Sequence, residues 1–162
     1  MLFVDFVGSE ILPKDEGLIV VKHSGYYSEH RNLFPYDRNA NSSAFIPHTA
    51  GDVYVQGCFN GGKVVDFKLL IREIMENTQK DLDNGIMALW HDESHLNKYI
   101  ITRKYKLLSP SYAYPEGLNL PFDKKIIIRD KNIFGGHDFL RGLKTKKIIK
   151  LKKIFNKIRS LI

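Results

Sequence analysis

Trp90-His91-Asp92-Glu93-Ser94-His95-Leu96-Asn97-Lys98-Tyr99 is the densest run of chemistry-bearing side chains in the chain. Two chemistries compete for it. His91 and His95 stand four residues apart, so on a helix both imidazoles could meet one metal ion. A metalloprotease places its glutamate directly after the first histidine, however. Here Asp92 takes that place, and Glu93 is rotated from it by about 100°. No third ligand follows by spacing, so the zinc reading is weak. The second chemistry is glycosyl transfer, in which a carboxylate beside an anomeric carbon stabilises an oxocarbenium-like transition state or attacks it. Adjacent Asp92 and Glu93 point in different directions, so one can hold sugar hydroxyls while the other addresses the reacting carbon. A helix N-terminus, with the acids complementing the dipole, accounts for the same two residues, and composition alone does not separate these readings.

The flanking sequence reads as a mixture of strands and helices, an α/β class. Residues 2–7 and 17–22 are short apolar, β-branched runs separated by turn chemistry, Leu12-Pro13-Lys14-Asp15-Glu16-Gly17. Residues 24–51 are aromatic, polar and punctuated by prolines and Gly51, which predicts an ordered loop region over a site. Residues 52–59 alternate, with Val53 and Val55 against Tyr54 and Gln56, and predict a strand running into Gly61-Gly62. Apolar residues then recur at helical spacing over 63–83, and Asn84-Gly85 is a left-handed stop. A second helix is predicted over 93–103, with further strands at 106–108 and 124–129.

The chain has 162 residues, 25 Lys+Arg against 18 Asp+Glu, and a net charge of +7. That length fits one domain with a substantial core, and 43% hydrophobic with 27% charged residues excludes wholesale disorder. The charge is concentrated. Nine of the basic residues lie between Arg141 and Ile162, where there is no acid, which leaves 16 basic and 18 acidic groups over residues 1–140. In that tail Ile148, Leu151, Ile154, Phe155, Ile158, Leu161 and Ile162 fall within an arc of about 140° at helical pitch. Lys146, Lys150, Lys153 and Lys157 fall opposite. A basic amphipathic helix over 141–162 is therefore expected, with residues 144–162 lying on an anionic membrane surface. A terminal helix docked on the domain with solvated lysines is the plainer alternative. Nucleic acid is not expected as a partner, because residues 1–140 offer no basic surface to extend the footprint. One cysteine, Cys58, excludes an internal disulfide framework. The start lacks a basic n-region, and no window approaches a membrane span, so a cytoplasmic protein, peripheral on the inner face of the membrane, is the expectation.

The string from Trp90 to Tyr99 resembles the signature of the family 6 glycosyltransferases, which include the ABO blood-group transferases, the α1,3-galactosyltransferases and shorter bacterial homologues. Further segments match in order: Val7-Gly8-Ser9-Glu10-Ile11-Leu12, His23-Ser24-Gly25-Tyr26-Tyr27, Ala44-Phe45-Ile46-Pro47, Gly51-Asp52-Val53-Tyr54, Gly57-Cys58-Phe59-Asn60-Gly61-Gly62, Asn84-Gly85-Ile86 and Leu107-Leu108-Ser109-Pro110. The resemblance implies the C-terminal part of a GT-A-type, Rossmann-like fold over residues 1–140, the acceptor and catalytic half. It implies a retaining enzyme that moves galactose or N-acetylgalactosamine from a UDP-sugar to a galactoside acceptor in α1,3 linkage. By the same resemblance Glu93 is the catalytic carboxylate. Asp92 and His91 hold the donor sugar, and Gln56, Gly57 and Cys58 select its 2-substituent. His23 and Trp90 contact the acceptor galactose, and Lys131 stabilises the leaving diphosphate.

Metal-dependent members hold Mn²⁺ through an Asp-x-Asp motif, and several bacterial members carry Asn-x-Asn and work without metal. That motif aligns before Met1, so no cofactor is expected within the chain itself. The reading is thus of a partial catalytic domain lacking the N-terminal nucleotide-binding half. An inactive truncated remnant, or a carbohydrate-binding, membrane-associated module, is the alternative.

Overall fold

Leu18-Ile19-Val20-Val21 is buried on both faces and forms the middle of the structure. A computed structural model describes residues 1–136. It divides into two units, Met1–Ile128 and Arg129–Ile162. The first contains β1 (Leu2–Phe3), β2 (Leu18–Lys22), β3 (Val55–Gly62), α1 (Val64–Asp83), α2 (Asp92–Ile100), β4 (Tyr105–Leu108), β5 (Tyr114–Pro115) and β6 (Ile126–Ile128). The second is described only through a short 3-10 turn, Lys131–Phe134, begun by Asp130 accepting from the Asn132 N–H and ended by Gly135. The basic tail expected to form a helix lies outside the described residues, as does the boundary drawn at 140.

Among the described residues the strands form two three-stranded sheets, with orders β3-β2-β4 and β1-β6-β5. β2 runs antiparallel to β3 and parallel to β4. The two-residue period of β2 then divides the core. Leu18 and Val20 pack with Val55, Leu70, Leu96, Tyr99 and Ile100, beneath the two helices. Ile19 and Val21 face Leu108, Tyr112, Ala113 and Ile126 on the other side. A third cluster, Phe34, Tyr36, Ile46 and Tyr54, lies under the long aromatic segment before β3. The mixed α/β class read from the sequence holds for the described residues.

Element extents differ from expectation where hydrogen bonding overrides pattern. α1 matches its predicted span. It ends in a Schellman arrangement in which the Ile86 N–H donates to the Asp81 carbonyl and the Gly85 N–H to that of Leu82, with Gly85 at φ 69°. The first strand shrinks from 2–7 to Leu2–Phe3, because Asp5 turns its carboxylate onto the Phe6 N–H. The third strand shifts from 52–59 to Val55–Gly62, since Gly61 and Gly62 pair with Ile19 and Leu18 rather than breaking the ladder. α2 spans Asp92–Ile100 and not 93–103, and β6 shortens to Ile126–Ile128. The two-residue β5 carries no readable alternation and is found only through its parallel pairing with β6.

The long segment before β3 is fixed by buried carboxylates. Asp81 of α1, almost fully buried, accepts from the Ser42 hydroxyl at 2.8 Å and from the Ser43 N–H at 2.8 Å. Asp37, equally buried, accepts from the Asn39 N–H and, at 2.9 Å, from the Leu89 N–H. Buried acids with two or more donors are stable where lone ones are not. Through them the aromatic segment, the end of α1 and the approach to α2 become one scaffold.

Candidate functional site

β3 carries an interruption that places the site. Its register with β2 pairs Val20 with Asn60 and then Val21 with Gln56, so residues 57–59 have no partner on β2. Such a bulge re-aims the backbone. The Asn60 side-chain amide donates to the Gly57 carbonyl at 2.9 Å and braces it. The Gly57 N–H, freed from the ladder, donates to Glu93 Oε2 at 2.7 Å. A Cβ at Gly57 would sit 3.3 Å from the Glu93 Cβ and 3.7 Å from Asp92 Oδ2, so glycine leaves the closest approach open.

The other oxygen of Glu93 is held as well. Tyr54 Oη donates to Oε1 at 2.8 Å. Burial raises the Tyr54 phenol far above its usual range and the neighbouring Glu93 charge raises it further, so it stays a donor. Glu93 lies in the first turn of α2, beside Asp92, where both acids complement the helix dipole. The helix N-terminal reading of these acids therefore holds, and it leaves both carboxylates at the head of α2.

The side chains after Glu93 secure the helix. Asn97, buried, accepts from the Val55 N–H at 3.0 Å and donates to the Val55 carbonyl and the Glu93 carbonyl, each at 2.9 Å. Ser94 Oγ accepts from the Trp90 N–H at 2.9 Å. The turn into α2 is strained. His91 sits at φ 52°, ψ −125°, and it is the one non-glycine residue of positive φ among the described residues. That conformation suits the second position of a type II′ turn, normally a glycine, and costs on the order of 1–3 kcal/mol. It leaves the Trp90 and His91 side chains exposed, with Trp90 at 51%. Trp90 is therefore not a core residue.

Gly57, Cys58, Trp90, Asp92 and Glu93 line one open cleft of about 270 Å³. A larger groove of about 420 Å³ runs along α1, but Met75, Glu76 and their neighbours on that single helix and its cap line it, without converging groups. Five of the sequence-predicted residues thus come together. His23 stands behind them. Its ring is 5.5 Å from that of Tyr54, and its Nδ1 accepts from the Gly25 N–H, which leaves Nε2 to carry the proton. Burial lowers the His23 pKa, and the Glu93 charge works against that shift. Gln56 is placed differently from its neighbours. It is buried, donates to the Lys22 and Ala113 carbonyls, and accepts from the Cys58 thiol at 3.3 Å. Lys131 is exposed and begins the 3-10 turn of the second unit.

His91 and His95 do not act as a helical metal pair, because His91 precedes the helix while His95 is buried within it. Both border a cavity of about 210 Å³ that Ile86, Met87 and Asp92 also line. Among the described residues no group of three or more His, Cys, Asp or Glu side chains is arranged to hold a metal ion. Among the described residues no such group is present to hold a Mn²⁺ ion. His95 Nε2 instead lies 3.7 Å from Asp81 Oδ2. Tyr54, Asn97, Asp37 and Asp81 are the supporting residues that spacing does not reveal. Only the polar character of Asn97, buried in α2 together with Leu96 and Ile100, hints at a partner.

A cleft floored by an oriented carboxylate, with a second carboxylate and an exposed indole at its rim, can grip a sugar and stabilise positive charge at its anomeric carbon. Comparison with known proteins agrees with that chemistry. The sequence profile of glycosyltransferase family 6 matches residues 1–137. The rat histo-blood group ABO system transferase 2 is 44% identical over 119 residues, which cover 73% of this chain and 35% of that protein. The Escherichia coli O-antigen biosynthesis glycosyltransferase WbnI is 41% identical over 117 residues, 72% of this chain and 50% of the relative. The human globoside alpha-1,3-N-acetylgalactosaminyltransferase 1 is 38% identical over 111 residues, 68% of this chain and 32% of the relative. The chain thus spans between about a third and a half of the length of these relatives.

The buried histidine gives the fold a pH dependence. Burial lowers the His95 pKa from histidine's ordinary 6.5, against the pull of Asp81, Asp37 and Asp92. A depressed folded pKa means that the unfolded chain takes up the proton first. The contribution of His95 is complete above pH 6.5 and is lost as pH falls below it. His23, shifted the same way, adds to the slope. Urea unfolding between pH 7.5 and 5 is expected to show falling stability, and His95→Gln is expected to flatten that slope. An unchanged slope in the variant would contradict the assignment.

Proposed function

This chain belongs to glycosyltransferase family 6, and on that footing we propose that it carries the acceptor-side and catalytic residues of a retaining hexosyltransferase. The reaction moves galactose or N-acetylgalactosamine from a UDP-sugar to a hydroxyl of a galactoside, in α1,3 linkage. The observation that carries the reading is the Glu93 carboxylate, fixed by the Tyr54 hydroxyl and the Gly57 N–H in a cleft shared with Asp92 and an exposed Trp90. Glu93 faces the anomeric carbon and stabilises the charge that develops as the diphosphate leaves. Asp92 and His91 accept from and donate to donor hydroxyls. The Trp90 ring stacks on the apolar C–H face of the acceptor galactose, and His23 Nε2–H is available to an acceptor hydroxyl.

Cys58 lines the cleft while Gln56 is turned away into hydrogen bonds. Discrimination between galactose and N-acetylgalactosamine therefore falls chiefly to the thiol side chain, with Gln56 setting its position. Lys131 is assigned to the leaving diphosphate by family likeness. A second reading, a carbohydrate-binding module without transfer, draws on the same exposed Trp90, which can hold a galactoside unaided.

The full chain incubated with UDP-galactose or UDP-N-acetylgalactosamine and a galactoside, with and without Mn²⁺, is expected to yield the extended glycan by mass spectrometry. Glu93→Gln should lower the rate by about a hundredfold or more. Binding of the galactoside with no product from either donor supports the module reading instead.

We further propose that residues 144–162 attach the protein to an anionic membrane on its cytoplasmic face, from the lysine and apolar faces of that segment. No helix among the described residues is long and apolar enough to cross a membrane. Co-sedimentation with phosphatidylglycerol vesicles but not with phosphatidylcholine vesicles is the expected outcome. Equal binding to both would remove the electrostatic part of the proposal.

A further inference from the structure

Tyr54 is more constrained than a core aromatic needs to be. It is 1% exposed, and its ring is packed by His23, Tyr26, Phe34 and Tyr36, with centroids 5.3–6.2 Å away. Four rings fix the plane of the phenol and so the direction of its hydroxyl. Its backbone is tied down too. The Tyr54 carbonyl accepts from the His23 N–H at 2.9 Å, and both backbone polar groups of the next residue, Val55, pair with the Asn97 amide. Asn97 lies one helical turn after Glu93 and also donates to the Glu93 carbonyl. The start of β3 and the start of α2 are thus clasped at two points, backbone to Asn97 and phenol to Glu93. Packing alone would be satisfied by phenylalanine. Among the described residues the hydroxyl has one hydrogen-bond partner, Glu93 Oε1.

We propose that Tyr54 is the positioning residue of Glu93, its hydroxyl and the Gly57 N–H together holding the carboxylate in the orientation that transfer requires. The inference rests on the reading of Glu93 as the catalytic carboxylate. A glutamate has three side-chain torsions, and one hydrogen bond at Oε2 leaves rotation about that contact open. The second donor at Oε1 removes it. The hydroxyl is suited to this task because the phenol does not ionise in this setting. Tyr54 also links Glu93 to His23, so the acceptor side and the carboxylate are set by one aromatic cluster rather than independently.

The test uses Tyr54→Phe, which keeps the ring and deletes only the hydroxyl, in the full chain. Tyr36→Phe is the control. Its hydroxyl donates to the Val53 carbonyl at 2.6 Å, and it belongs to the same cluster. The first readout needs no activity. The Gly57 amide resonance in a ¹H–¹⁵N spectrum reports its bond to Glu93 Oε2. In Tyr54→Phe it is expected to move upfield and to exchange faster with solvent, while in Tyr36→Phe it stays in place. The second readout is turnover. Tyr54→Phe is expected to lower kcat by about tenfold or more, on the scale of one charge-assisted hydrogen bond, with KM values within about twofold. In a Glu93→Gln background the same change should cost nothing further, because Tyr54 acts through Glu93. A Gly57 amide unmoved in Tyr54→Phe, or moved equally in Tyr36→Phe, overturns the proposal. An equal loss of kcat with and without Glu93 overturns it as well. A wild-type chain that transfers no sugar, yet shows the selective Gly57 response, refutes the transferase reading and leaves the positioning of Glu93 standing.

Discussion

Glu93 and Asn97, one turn apart on α2, take the place against β3 that a neighbouring strand would otherwise occupy. Asn97 satisfies the N–H and carbonyl of Val55, and Glu93 satisfies the N–H of Gly57. Buried backbone groups must find partners, so this side of the strand is stable only while the helix is docked. The consequence is that the residue with the most chemistry is also part of the hydrogen bonding that closes the fold. Its carboxylate cannot wander without unpairing the bulge of β3. The strain at His91 follows from the same constraint. For α2 to present Glu93 and Asn97 to β3, the chain must turn sharply at Trp90-His91, and a non-glycine residue holds the glycine-type conformation there.

The carboxylates of Asp37 and Asp81 extend this arrangement outward. Each is buried and each accepts donors from distant segments, Asp37 from the approach to α2 and Asp81 from the loop before β3. Burial opposes ionisation of Asp81, but the Ser43 and Ser42 donors overcome it and hold its pKa below the ordinary carboxylate value. The aromatic loop, with little regular structure, is therefore anchored to α1 and to the approach to α2. That placement is what gives Tyr54 and His23 a fixed relation to Glu93.

Much of this was legible in the residues. The apolar, β-branched run at 17–22 marked a strand, and the helical spacing over 63–83 with Asn84-Gly85 gave α1 and its stop. The string from Trp90 to Tyr99 holds three of the five cleft residues, Trp90, Asp92 and Glu93. What escaped the pattern was tertiary. Alternation placed Tyr54 and Gln56 on one face, yet Tyr54 finds Glu93 and Gln56 the Lys22 and Ala113 carbonyls, and the register change at residues 57–59 frees the Gly57 N–H for Glu93. A bulge of this kind needs the β2 register to be seen. Nothing in the spacing singled out Asp37 and Asp81, because donors such as the Leu89 N–H and the Ser42 hydroxyl lie far along the chain. Gly61-Gly62 was expected to lie just beyond the strand, and it pairs within the sheet.

The sugar-binding identity of the cleft is the claim on which the functional reading stands. A titration of the ¹⁵N-labelled full chain with a methyl galactoside, followed in ¹H–¹⁵N spectra, tests it without requiring a donor. Concerted, saturable shifts of the Trp90 indole N–H and the Gly57 and Cys58 amides are expected, with the residues beside the α1 groove, such as Met75 and Glu76, unaffected. Shifts confined to residues away from the cleft, or none at millimolar galactoside, would contradict it.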